Sequence, residues 1–340
     1  MTDTRSDDSP SVIDRTHQVA AAGSVIGAHF LGATAAFVLS EEAIVLAEPE
    51  GEPKRIGVHG GAILCAAADG KRVVTGGDDG KVIATDAGGE CITLAADAKH
   101  RWIDQLALGP DGAVAWSAGK TAFVRTTKDN GKEPRQFEAP STVGGLVFLP
   151  KGFRLAIAHY NGATLWFPNA GQAEPEKLAW KGSHLGITVS PDGRFLVTSM
   201  QEAMLHGWRL ADGQHMRMSG YSSRVMSFGW TVGGRFLATS GATQIILWPF
   251  HTKEGPMGKQ PRLLAPSEHR VSVIACHPRQ EIVAAGYEDG MVLLVRMEDG
   301  AEILAKRPGD APVTALNWSA DGVFLAFGTE SGEAGIVDLT

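Results

Sequence analysis

Short apolar runs separated by glycine and aspartate extend along nearly the whole chain. "KRVVT" (71–75), "FRLAIA" (153–158), "RFLVTS" (194–199), "EIVAA" (281–285) and "VFLAF" (323–327) are each five or six residues long and take their apolar positions from Val, Leu, Ile, Ala and Phe. Runs of that length, bounded by turn residues, predict β-strands. No 3.6-residue period persists anywhere, so no long helix is expected.

The punctuation itself recurs. "AADGKR" (67–72), "GPDGAV" (109–114), "LPKGFR" (149–154), "SPDGRF" (190–195), "TVGGRF" (231–236) and "SADGVF" (319–324) read as one turn, with "HPRQEI" (277–282) filling the remaining gap. A first, weaker unit covers 25–48, which makes eight units of about 41 residues. Each unit reads as four short strands, a to d. In the fifth, "GITVS" is a, "RFLVTS" is b, "AMLHGWRL" is c and "QHMRMSG" is d. A second repeated turn joins b to c: "GGDDGKVIATD" (76–86), "HYNGATLWFP" (159–168), "GYEDGMVLLVR" (286–296) and "GTESGEAGIVDL" (328–339). Asp78 and Asp79 could suggest a calcium loop. A calcium loop needs further oxygen ligands at fixed steps and a late bidentate Glu. None follows, so the pair is read as a hairpin turn, where Asp accepts local N–H bonds and Gly supplies positive φ.

Four strands per unit of this length is the signature of a propeller blade. The residues resemble the WD-repeat family: "SPDG" between strands a and b, Asp in the b–c turn, and Trp166, Trp208 and Trp248 at c-strand ends. Asp86 and Asp338 keep only the acidic member of that ending, and His59, His100 and His269 lie near the family's Gly-His position. The resemblance covers about residues 12–340 and is similar to that of uncharacterised bacterial members. It implies one all-β propeller of four-stranded antiparallel blades over 11–340, preceded by a disordered tail over 1–10. Eight blades are expected, with seven as the alternative if the first unit is incomplete. The last unit ends after its c strand, and 11–19 is expected to supply the missing d strand and close the ring.

Composition narrows the function. The chain has 340 residues, 44% hydrophobic and 20% charged, enough to bury a full core. A net charge of −7 argues against nucleic acid as partner. Three widely spaced cysteines, Cys65, Cys91 and Cys276, form no zinc or disulfide pattern and fit a reducing cytoplasm. No apolar leader or membrane-length run is read. No G-x-S-x-G elbow, haem-attachment motif, P-loop or dinucleotide fingerprint occurs. The expectation is therefore a non-catalytic, monomeric scaffold that binds a protein or peptide and has no cofactor, metal or catalytic residue. The alternatives are a metal-handling accessory protein and a propeller hydrolase with carboxylates converging in the channel.

In an antiparallel meander the d–a and b–c turns share one rim, here called the top. The sequence places Arg101, Trp102, Tyr160, Tyr221, Arg224, Arg270 and Tyr287 there. Tyr, Trp and Arg dominate interface hot spots, and the resemblance implies a peptide-receiving face. These are the expected partner-binding residues, for a partner with acidic residues. A long Pro-rich loop over 249–266 lies on the opposite rim and offers a second contact through Phe250, His251 and Met257.

Overall fold

The computed structural model describes residues 11–129, 132–171 and 173–340, so the expected tail over 1–10 lies outside the described residues. The apolar runs form strands, and the turns between them fall where the glycines are. Gly70, Gly112, Gly152, Gly193, Gly234 and Gly322, the six glycines of the recurring a–b turn, all have positive φ, between 66° and 82°. Glycine suits these sites because a Cβ disfavours that conformation.

Consecutive strands pair antiparallel into β-sheets. The first repeat is the strand set Val25–Leu31, Thr34–Leu39, Ala43–Ala47 and Lys54–Gly57, and the pattern continues to the last repeat. The inner strands touch from each repeat to the next. Between the fifth and sixth repeats, Trp230 Nε1 donates to Thr188 Oγ1 at 2.9 Å. The ring closes where the a strand of the last repeat meets Val25–Leu31 of the first. The architecture is a β-propeller.

This packing explains the hydropathy pattern. A blade has a neighbour on both faces, so its middle strands are buried on both sides and read as unbroken apolar runs. Thr34–Leu39 and Ala43–Ala47 are wholly buried, whereas the outer strand Lys54–Gly57 is mostly exposed. The core is thus a set of inter-blade layers. One holds Phe195, Met218, Trp248 and Phe250 between the fifth and sixth repeats. A large apolar side chain fully buried in such a layer contributes about 1.5–3 kcal/mol.

The N-terminal segment closes the last sheet as expected. Thr16–Ala20 pairs antiparallel with Glu333–Asp338, in register from Thr16 opposite Val337 to Ala20 opposite Glu333. Pairing the first strand with the last leaves neither of them an open inner edge.

The expectation of eight blades is corrected to seven, the alternative, when blades are counted as hydrogen-bonded sheets. Six of these sheets have four strands and one has six. An incomplete first unit is not the reason, because that unit has all four strands. The reason lies in the fourth and fifth repeats, where Leu155–Trp166 and Glu176–Val189 run on without a gap and join the two repeats in one sheet. Within Leu155–Trp166 the chain doubles back at Asn161–Gly162, both with positive φ. His159 Nε2 lies 2.9 Å from Thr164 Oγ1. Five residues of straight strand would hold those Cα atoms roughly 16 Å apart. The first half of this strand pairs with Gly145–Phe148, and the second half pairs with Glu176–Val189. The six-stranded sheet therefore carries the meanders of two repeats, so seven sheets coexist with eight sequence units.

Candidate functional site

The top rim is built from loops that lean on the turn of the preceding repeat. In the loop 97–102, Asp97 N–H donates to Gly80 O at 2.8 Å. The Asp97 carboxylate accepts from Arg101 Nη2 at 2.7 Å and from the Lys99 and Arg101 amides. The Arg101 side-chain bond is the foremost cause holding this carboxyl down at about 2, against a raising effect of burial. Arg101 Nη1 also donates to Ala118 O. Arg101 is thus a brace for its own loop, and Trp102 beside it is 65% exposed.

The chain of contacts continues along the rim. Val143 N–H donates to Gly119 O. Tyr160 N–H donates to Ser141 Oγ at 2.8 Å. Gly182 N–H donates to Asn161 Oδ1, and Gln201 N–H to Ser183 O. Arg224 Nη1 donates to Gln201 Oε1 at 3.2 Å, and Ser223 N–H to Gly241 O. Tyr160 is 57% exposed on this path. So is Met226, at 66%, with its Sδ 3.0 Å from Arg224 Nε. Met226 was not anticipated from sequence. Its neighbour Val225 is buried, and no local pattern distinguishes the two.

Two of the expected contact residues are not on the surface. Tyr221 is buried, and its hydroxyl bonds Thr239 Oγ1 at 2.9 Å and accepts from Trp248 Nε1 at 2.7 Å. Burial pushes its phenol well above the usual range. Tyr287 is fully buried and donates to Ala265 O at 2.9 Å. Both bodies pack in inter-blade layers and both hydroxyls have protein partners, so they brace the rim from below. Arg270 does lie on the rim, where it pairs with Glu288 at 2.9 Å.

The rim is electrically uneven. The arc from the loop 97–102 to the turn at 240–243 carries Lys99, Arg101, Lys120, Lys181 and Arg224 against three carboxylates, Asp97, Glu138 and Glu202. Among the described residues, Lys99, Lys181 and Arg224 have no carboxylate partner, whereas Lys120 pairs with Glu138. The complementary arc, from 265–270 round to 78–80, carries Glu41, Glu42, Asp78 and Asp79 in the first two repeats. It adds Glu268, Glu288, Asp289, Asp310, Glu330 and Glu333 in the last two. The cations of this arc are Arg55, Lys81, Arg270, Lys306 and Arg307, of which Arg55 pairs with Glu41 and Glu42, Lys81 with Asp79 and Lys306 with Glu333, so carboxylates remain in excess.

Asp79 serves its turn. Its carboxylate accepts from His59 Nδ1 at 3.0 Å, Gly60 N–H at 3.1 Å and Lys81 N–H at 3.0 Å. Partial burial works to raise this carboxyl, and the three donors outweigh it, holding it below its usual range.

On the opposite rim, Phe250 is buried, with Phe195 and Trp230 rings at 5.2 and 4.8 Å. That removes it as a contact residue. Arg194 donates to the Thr252 and Phe250 carbonyls, and Arg209 to Lys253 O, which pins the loop. His251 remains exposed, and Met257 lines a groove of about 620 Å³ with Pro256, Pro261 and Leu263. The channel wall offers a cavity of about 420 Å³ that includes His29, Cys65 and Asn317. Burial lowers His29 to about 4. Among the described residues, no group of three His, Cys, Asp or Glu is placed to hold a metal ion. No helix among them is long and apolar enough to cross a membrane.

Comparison with known proteins agrees with this architecture. The family described as the anaphase-promoting complex subunit 4 WD40 domain matches residues 274–340. Among solved structures, the chain is similar to the computationally designed Ika8 protein at 16% identity and a TM-score of 0.76, over 93% of this chain and 96% of that one. At that identity the likeness shows the fold alone. No curated protein matches.

Proposed function

Since the chain is a WD-repeat β-propeller, we propose that it is a non-catalytic platform that binds a partner protein or peptide on its top rim. The observation that carries this reading is Trp102, a large aromatic 65% exposed on a loop that Asp97 and Arg101 hold in place. A rigid, exposed aromatic on a braced loop is the usual form of an interface anchor, because little order remains to be imposed on binding. Tyr160 and Arg224 extend the same surface, and Arg270 sits on the rim beyond them. The fold supports the reading as well, since it repeats one structural unit and leaves chemistry to the loops.

The test is affinity capture with mass spectrometry, followed by binding kinetics with the captured partner. Trp102→Ala is expected to weaken binding by about 1–3 kcal/mol, the ordinary hot-spot range. Arg224→Glu is expected to slow association more than it speeds release. A His251→Ala/Met257→Ala double variant should bind normally. Loss of binding in that double variant alone would move the site to the opposite rim.

A further inference from the structure

We infer that the occupant of the top rim sits off-centre, on the arc from the loop 97–102 to the loop 219–227, and is an extended acidic segment with large apolar side chains. This rests on the reading of the top rim as the binding face. The argument comes from how charge and exposure are distributed around the ring.

Three large exposed apolar side chains of the rim, Trp102, Tyr160 and Met226, stand on this arc at 65, 57 and 66% exposure. Lys99, Lys181 and Arg224 stand among them without a carboxylate partner among the described residues. The hydrogen bonds from Asp97 to Gly241 make the arc one continuous surface spanning several repeats. An occupant that follows it must be extended, because the anchors belong to separate repeats around the ring.

The other arc repels such an occupant. Glu41, Asp289, Asp310 and Glu330 give it an excess of carboxylates. On a chain of net charge −7, an arc with an excess of cations is a local exception. Complementary potential fixes which partner docks and in what register, and like charge elsewhere excludes alternatives. A nucleic acid fits less well. Backbone binding grows with the number of phosphates neutralised, and among the described residues this arc offers three cations without a carboxylate partner.

The experiment uses fluorescence polarisation with the full chain and short labelled probes. One peptide alternates acidic and large apolar residues. A second keeps the apolar residues and replaces the acids with lysine. A third probe is a polyuridine oligonucleotide. The acidic peptide should bind in a salt-sensitive way, and the lysine peptide at least about tenfold more weakly. Lys99→Glu/Lys181→Glu/Arg224→Glu should weaken the acidic peptide by about tenfold or more, while Glu41→Lys/Glu330→Lys leaves it unchanged. Circular dichroism on each variant checks the fold. Preference for the lysine peptide, lost in the Glu41→Lys/Glu330→Lys variant, would overturn the inference and leave the top-rim reading standing. Tighter binding of the oligonucleotide, lost in the triple variant, would replace the occupant. Acidic-peptide binding lost only on Met257→Ala/Leu263→Ala would overturn both readings, and no binding of any probe would overturn the inference.

Discussion

His59 and His206 are both buried at seams between repeats, yet one is fully bonded and the other is bonded to nothing. His59 lies on a rim loop. Its Nδ1 meets the Asp79 carboxylate at 3.0 Å, and its Nε2 meets Thr75 Oγ1 at 2.9 Å. A carboxylate only accepts, so Nδ1 carries the proton of that bond. His206, on Leu205–Arg209, is stacked on Trp180 at 4.1 Å and flanked by Trp208 at 4.7 Å. Neither of its ring nitrogens has a hydrogen-bond partner. The first histidine works as a polar strut and the second as an aromatic filler. Residue type alone does not separate them; a partner 16 to 20 residues away does.

The comparison breaks most sharply at Asp79. Asp79→Ala leaves His59 Nδ1, Gly60 N–H and Lys81 N–H without their acceptor. Each orphaned buried donor costs about 1–3 kcal/mol, less where water reaches it. A loss of about 2–4 kcal/mol is expected from urea unfolding midpoints. The wild type should show no saturable heat when titrated with Ca²⁺. A loss under about 0.5 kcal/mol would mean water replaces the carboxylate and His59 is no strut.

The sixth repeat puts a tyrosine to the same use, which sharpens the comparison. Thr239 donates to Ile246 O at 3.0 Å, so Tyr221 donates to Thr239 while accepting from Trp248. Tyr221→Phe keeps the ring and orphans the Trp248 N–H. A loss of about 1–2 kcal/mol is expected by the same measurement. Tyr287→Phe removes one bond, to Ala265 O, and should cost about 1 kcal/mol. If both were neutral, the two hydroxyls would be surplus and their surface role would be open again.

Much of this frame was legible in the sequence. The six a–b glycines marked the repeat, and all six adopt the conformation that a turn demands. Thr16–Ala20 was legible as the closing strand because the last unit stops one strand short. Tyr221, Tyr287 and Phe250 were misplaced because loop and turn positions read as exposed. Their partners Thr239, Ala265 and Phe195 lie 18 to 55 residues away, and no local pattern reveals them. The joined sheet was illegible for a similar reason: the Asn161–Gly162 reversal is so tight that no gap separates its two strands. Of the candidate site, Trp102, Tyr160 and Arg224 could be placed from turn positions. The charge difference between the two arcs emerged only when the rim was assembled, because each arc gathers turns scattered over many repeats.

The smallest expected change is at His206. An unpartnered imidazole contributes packing and no hydrogen bond, so His206→Phe should shift stability at pH 7 by less than about 1 kcal/mol, in either direction. The same substitution should be visible in the pH dependence. Burial, followed by His184, His215 and Arg217 nearby, lowers His206 to about 3. In the unfolded chain a histidine titrates near 6.5. Between those values the unfolded state takes up a proton that the folded state refuses. The wild type therefore holds this contribution above pH 6.5 and loses it progressively as pH falls towards 3, by at most about 1.4 kcal/mol per pH unit. His29, lowered to about 4, adds a slope of the same sign and remains in the variant. His206→Phe should thus flatten the fall between pH 6.5 and 4.5 by about one proton's worth, as measured by urea unfolding at several pH values. A large loss at pH 7 with an unchanged slope would show that His206 has a bonded partner after all, and the contrast with His59 would vanish.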